Sequence, residues 1–349
     1  MSGSPSPITL TFDTTHNLQL DAYLPFPQPS SQTKLPVVVH YHRGGMVIGS
    51  KSDVYPPFLP GYLQSMGVLL VSPNYRLLFP SSAEDIIADV HSLFAYLAAP
   101  NTELDETLRQ NGFAIDVSRI AVIGVSGGNY PARAAATLPE IVPRPVAWLD
   151  LFGMGGDWLL DFWLQGIDVE KTMPLENTLH DMAKAEDLIQ NGGGDVASES
   201  EGTLVDGKAT DVIGRFNLWI HWQKEGTFLD YVLSSPGLSS TLKRMPYGER
   251  LALIPPDKRR FLLPITPQTP PTYVLHGDQD LLVPIEESYA LVNDMKTLGL
   301  SVKGVWVPGA DHVLRDRKKG GWEGMVDGWE EIAREAVNWV VAEVRRERR

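Results

Sequence analysis

Ser126 sits in Gly124-Val125-Ser126-Gly127-Gly128, between the apolar run 120–123 and an alanine-rich stretch that begins after Pro131. A serine hydroxyl is a weak nucleophile and has to be presented on a tight strand-to-helix turn beside a base. Flanking glycines remove the Cβ atoms that would clash there. The helix that follows offers free N–H groups and a favourable dipole to a developing oxyanion. Pro131 is tolerated because first-turn amides have no helical partner. The base must come from a loop past the last strand, and of eight histidines His312, in Gly309-Ala310-Asp311-His312, has that place. An orienting acid is available in His276-Gly277-Asp278-Gln279-Asp280, as Asp278 or Asp280. Either could instead cap the helix expected near Pro284. Asp311 suits a turn, because a sequence neighbour rarely faces its own imidazole nitrogen. Serine, acid and histidine in that chain order describe a triad for nucleophilic acyl chemistry.

A second glycine-rich segment, His40-Tyr41-His42-Arg43-Gly44-Gly45-Met46, closes the apolar run 36–39. His40 and His42 fall on one face of a strand and could pair on a metal, but no Cys, Asp or Glu stands beside them to complete a ligand set. The segment resembles the His-Gly-Gly-Gly motif of the hormone-sensitive-lipase-like branch of α/β hydrolases. Residues 276–284 are similar to the family pattern His-Gly-x-x-Asp-x-x-Val-Pro, and Asn74-Tyr75-Arg76-Leu77 is similar to its Asp-Tyr-Arg-Leu. The resemblance covers 8–153 and 264–349. It implies a serine esterase with Ser126 as nucleophile, His312 as base and Asp280 as acid. It further implies oxyanion-hole amides at Arg43, Gly44 and Gly127, and no cofactor or metal. Arg43 stands where the family has glycine. Its side chain either pairs with one of the chain's many carboxylates or reaches the pocket to hold an anionic group on the substrate.

The elements that must position these residues are legible in the apolar pattern. Ile8, Leu10 and Phe12 alternate, as do Leu18, Leu20, Ala22 and Leu24, which predicts an antiparallel hairpin. Continuous apolar runs follow at 36–39, 68–72, 120–123, 146–152, 272–275 and 302–307, as expected of strands buried on both faces. Ile86, Ile87, Val90, Leu93, Phe94 and Leu97 form a helical stripe, and Trp329, Ile332, Ala333, Ala336, Val337 and Val340 form another. The expected architecture is a doubly wound, mostly parallel α/β sheet with an antiparallel N-terminal hairpin.

Between 154 and 264 no strand is expected, and a crossover normally needs far fewer residues. The domain reading is therefore a hydrolase core at 1–153 and 265–349 and an inserted, mainly helical cap at 154–264, with a mobile polar loop at 191–211. Trp158, Phe162, Trp163, Phe216, Trp219, Trp222, Phe228 and Tyr231 either line an apolar acyl or aryl pocket or pack the cap. Trp219 and Trp222 are the expected substrate contacts.

Composition bounds the rest. The 349 residues are 43% hydrophobic and 21% charged, enough to bury a substantial core. A net charge of −13 argues against nucleic acid as a partner. Absence of cysteine excludes a thiol nucleophile and disulfides. The N-terminus lacks a basic start and apolar run, and no stretch could span a bilayer, so a cytoplasmic location is expected. The pattern thus points to hydrolysis of a carboxylic ester of a moderately sized apolar small molecule, and leaves oligomeric state unspecified. Acyl transfer, lactone opening or cyclisation by the same triad stays open, as does a non-catalytic ligand-binding homologue.

Overall fold

The computed structural model describes residues 6–26, 32–168, 182–200, 203–205, 208–210, 214–319 and 324–346. β1 (Ile8–Asp13) and β2 (Leu18–Tyr23) form the hairpin, with Leu10 opposite Leu20. β3 (Thr33–Tyr41), β4 (Leu69–Pro73), β5 (Phe113–Val125) and β6 (Ala147–Leu151) follow. β7 (Thr203–Val205) and β8 (Lys208–Thr210) make a small separate antiparallel pair, and β9 (Thr272–Gly277) and β10 (Val302–Val307) complete the set. The main sheet has the order β1-β2-β4-β3-β5-β6-β9-β10. Every pairing from β4 to β10 is parallel, and the two at the hairpin edge are antiparallel.

Alternation inside the apolar runs explains why both faces are covered. Val37, Val39, Ile120 and Val122 join one apolar cluster, whereas Val38, Ala121, Ile123 and Val125 join the other. The helix Ala83–Ala98 presents its expected stripe to the first cluster, all six residues being buried. The helix Trp329–Arg345 packs Ala336, Val337 and Val340 into the second. At its C-terminal end, Arg346 pairs with Glu343 at 3.1 Å, in keeping with a solvated helix end.

Two expectations need correction. The run 302–307 is not buried on both faces, because β10 is the outermost strand and only Val307 is fully buried. Its exposed positions are used otherwise, with Lys303 pairing with Glu335 at 2.7 Å. The segment 154–264 also contains strands, β7 and β8. They are three residues long, too short to show a period, although Asp206-Gly207 between them is a hairpin dipeptide.

Otherwise, short helices fill the passage from β6 to β9: Asp161–Leu164, Met182–Gln190, Arg215–Glu225, Phe228–Val232, Leu238–Leu242 and Tyr247–Leu253. Among the described residues, the apolar side chains of this segment form no core of their own. Trp158, Trp163, Trp219, Trp222 and Phe228 belong to the same cluster as Val37 and Val122 of the sheet. The polar loop expected to be mobile falls partly outside the described residues. Its described part is tied down: Ala197 O accepts Leu77 N at 2.7 Å, Ser200 bridges Gly49, and Glu199 receives Asn74 Nδ2 at 2.9 Å.

Candidate active site

Ser126 directly follows the strand β5 with φ of +52°, a left-handed conformation that lifts its side chain out of the strand direction. The helix Asn129–Thr137 begins three residues later, with Pro131 in its first turn. Gly127 is required by close approach: a Cβ there would stand 2.4 Å from Met46 N and 2.7 Å from Gly45 N. The loop 43–46 and the nucleophile turn are therefore in direct backbone contact.

His312 Nε2 lies 2.9 Å from Ser126 Oγ, and His312 Nδ1 lies 2.7 Å from Asp280 Oδ2. The Ser126 hydroxyl can donate to Nε2 while the Nδ1 proton is donated to the carboxylate. Three residues from three strand ends, up to 186 positions apart in sequence, thus form one relay. The Phe152 ring and the His312 imidazole meet in an edge-to-face arrangement, 5.0 Å between centroids.

Asp280 is fully buried at its carboxylate and saturated with donors. Oδ1 accepts the amides of Leu282 and Val283 at 2.8 and 2.9 Å, and Oδ2 accepts His276 Nε2 at 3.1 Å as well as His312. Burial alone would push its pKa up, but the charge of His312 and the hydrogen bonds from both imidazoles outweigh it and hold the carboxyl well below its ordinary value. Asp278 serves elsewhere, accepting Gly309 N at 2.7 Å. Asp311 accepts the amides of His312 and Leu281 and pairs with Arg315 at 2.6 Å, so it shapes the turn that carries the base.

The remaining expected residues separate clearly. Arg43 turns its guanidinium to Asp53, with Nε 3.0 Å from Oδ2 and a second contact at 3.1 Å, and lies over the Tyr55 ring. His40 Nε2 meets the backbone of Tyr55 at 3.0 Å, and His42 Nδ1 meets Arg43 O at 2.8 Å while stacking on Tyr75. Burial pushes both imidazoles below their ordinary value, His40 to about 4, so they are neutral and structural. Trp219 lies against the loop: a Cβ on Gly45 would stand 2.6 Å from its Cδ1 and 3.1 Å from its Nε1. Trp222 is instead enclosed by Phe79, Phe228 and Tyr231, stacking on Tyr231 at 4.1 Å.

Several buried groups beneath the site carry no motif. Asp150 accepts Asn129 Nδ2 at 3.0 Å and Gly153 N at 2.8 Å, and burial raises its pKa to about 6. Glu287 accepts the Trp163 indole N–H and the Gly156 amide, and burial raises it to about 7. Ser288, its neighbour, lies 2.7 Å from His276 Nδ1. A signal was present for His276, which opens the acid motif, but none for the two carboxylates, and the Glu287 partners are more than 120 positions away.

No protein-family model matches the chain. A non-reducing polyketide synthase of Emericella nidulans is 24% identical over 341 residues, 91% of this chain and 13% of that protein. The chain thus spans about an eighth of that relative's length. A probable carboxylesterase of a Phoma species is 24% identical over 285 residues, 78% of this chain and 77% of the relative. Among solved structures, a thermophilic esterase of Thermogutta terrifontis with butyrate bound aligns over 97% of this chain and 94% of its own, with a TM-score of 0.54 and 16% identity.

Proposed function

We propose that this chain, whose fold is that of the α/β hydrolases, is a serine hydrolase cleaving a carboxylic ester of a moderately sized apolar substrate. The observation that carries the reading is the continuous relay from Ser126 through His312 to Asp280. His312 Nε2 takes the hydroxyl proton as Oγ bonds to the acyl carbon, and Asp280 keeps the second proton on Nδ1. The tetrahedral oxyanion is received by amides of Gly127 and of Arg43 and Gly44. Each such donor is worth about 3 kcal/mol in comparable sites. Collapse breaks the ester C–O bond, and His312 returns its proton to the leaving alcohol. Water then attacks the acyl-enzyme by the same route.

Residues 154–264 are read as a cap that closes the pocket over Ser126, with Trp219 as its wall beside the oxyanion loop. The Arg43–Asp53 pair leaves the Arg43 side chain to the scaffold, so it brings no cation to the pocket. Hydrolysis of p-nitrophenyl esters of graded chain length tests the reading. Turnover that peaks at short to medium acyl chains and vanishes in Ser126→Ala supports it, and no turnover of any ester contradicts it.

A second reading keeps the triad but passes the acyl group to an alcohol, or closes it on itself as a lactone. The similarity to a polyketide synthase over most of this chain favours it. Product analysis in the presence of added alcohols separates the two, since transfer yields a new ester where hydrolysis yields the acid.

A further inference from the structure

His276 is fully buried, yet it makes three contacts that the hydrolytic relay does not require. Its Nε2 faces two oxygens, Asp280 Oδ2 and Val283 O, each at 3.1 Å, so Nε2 must carry the proton. Its Nδ1 lies 2.7 Å from Ser288 Oγ in the first turn of the helix Ile285–Thr297. The carboxylate oxygen it meets is the same one that holds His312 at 2.7 Å.

We propose that His276 is a positioning residue for the triad: its Nε2 proton supplies the fourth hydrogen bond to Asp280, locks Oδ2 toward His312 and offsets part of the carboxylate's charge. This rests on the hydrolase reading. The consequence is electrostatic as well as geometric. An uncompensated Asp280 would favour the imidazolium form of His312, leaving less neutral base at a given pH. Sharing Asp280 Oδ2 between the two imidazoles weakens that preference and leaves His312 Nε2 available to the serine proton.

The groups that face His276 fit this role. Asp280 comes from its own loop, Ser288 from the helix Ile285–Thr297, and Asp150 from β6, where Arg133 partly balances it. Burial alone would lower the His276 pKa, but the hydrogen bond to Asp280 and the charges of Asp280 and Asp150 hold it above its ordinary value. The imidazole is therefore pinned from both ends with its donor directed at the triad acid. Ser288 adds the link to the helix that follows the acid loop.

The test compares His276→Leu, which removes the donor, with His276→Gln, whose amide nitrogen can reach the Nε2 position. Competent sites are counted by fluorophosphonate labelling, and p-nitrophenyl butyrate turnover per labelled site is followed across pH. His276→Leu should lose about tenfold or more in kcat with little change in KM, as expected for one hydrogen bond to a charged group. Its acid limb of kcat/KM should move to higher pH by about half a unit or more. His276→Gln should recover most of kcat. If His276→Leu does not fold, His276→Asn replaces it, since its shorter amide reaches toward Ser288 and not Asp280.

An unmoved acid limb with unchanged kcat per labelled site overturns the proposal. So does a loss that reflects only fewer labelled sites. A wild-type protein that neither labels nor turns over ester overturns the hydrolase reading and this role with it, whereas normal labelling with silent His276 variants overturns this role alone.

Discussion

Trp219 lies with the pyrrole edge of its indole against Gly45, so that a side chain on that glycine would collide with Cδ1 at 2.6 Å. Gly45 in turn backs onto Gly127, the residue after the nucleophile. The helix Arg215–Glu225 is thereby brought within one residue's thickness of the turn that carries Ser126. Trp219→Ala should shift the preferred acyl chain length upward, read as relative kcat/KM across an ester series. Trp222→Ala should leave that profile in place and cost stability, about 3–5 kcal/mol for a buried large-to-small change. Equal shifts in profile from both variants would contradict the separation of roles.

Asp278 and Asp280 stand two residues apart but hold different partners, Gly309 N and the two imidazoles. Asp280→Asn should lower kcat by roughly three to four orders of magnitude, as when a triad acid is replaced by its amide. Asp278→Asn should lower it by no more than a loosened loop would, within about tenfold. Steady-state kinetics of the two variants, with melting temperatures to check folding, decide it.

The Arg43–Asp53 pair is only partly buried, with the two side chains 40% and 32% exposed. Such pairs are worth about 0.2–1 kcal/mol. Arg43→Gly, which restores the glycine of the resembled motif, should therefore change stability little. It should also alter kcat/KM for neutral and carboxylated esters by the same factor. A selective loss on the carboxylated ester of about tenfold would instead make the guanidinium a substrate contact.

Glu287 provides a pH-dependent contribution to stability. Burial lifts its pKa from 4.5 to about 7, despite donors from Trp163 and Gly156 that favour the charged form. A raised folded value means the native state holds the proton more tightly than the unfolded chain does. The stabilisation is complete below the unfolded value and disappears as pH rises through about 7. Its full size is on the order of 3 kcal/mol from the shift alone. The melting temperature of the wild type should therefore fall between pH 5 and pH 8 more steeply than that of Glu287→Gln. Parallel curves would contradict the assignment.

Legibility in the sequence followed locality. The turn at Ser126, the acid motif and the loop of His312 are each written in a few adjacent residues, because each occupies the end of one strand. Their convergence could be expected from chain order. By contrast, the contact of Trp219 with Gly45 and the anchoring of Glu287 by Trp163 join residues more than 120 positions apart. No period or spacing encodes those. The strands β7 and β8 escaped because three residues cannot display alternation, and the exposure of β10 depends on its place at the sheet edge. His276 stands within its motif, but its role depends on where Asp280 and Ser288 fold around it.

The central claim is that Ser126 Oγ is the nucleophile activated by His312. Its most direct test is to treat the protein with a fluorophosphonate and map the adduct by peptide mass spectrometry. One stoichiometric adduct on Ser126 is expected, with no adduct in Ser126→Ala. A stoichiometric adduct on another residue, or an Ser126→Ala protein that hydrolyses ester at the wild-type rate, would contradict it.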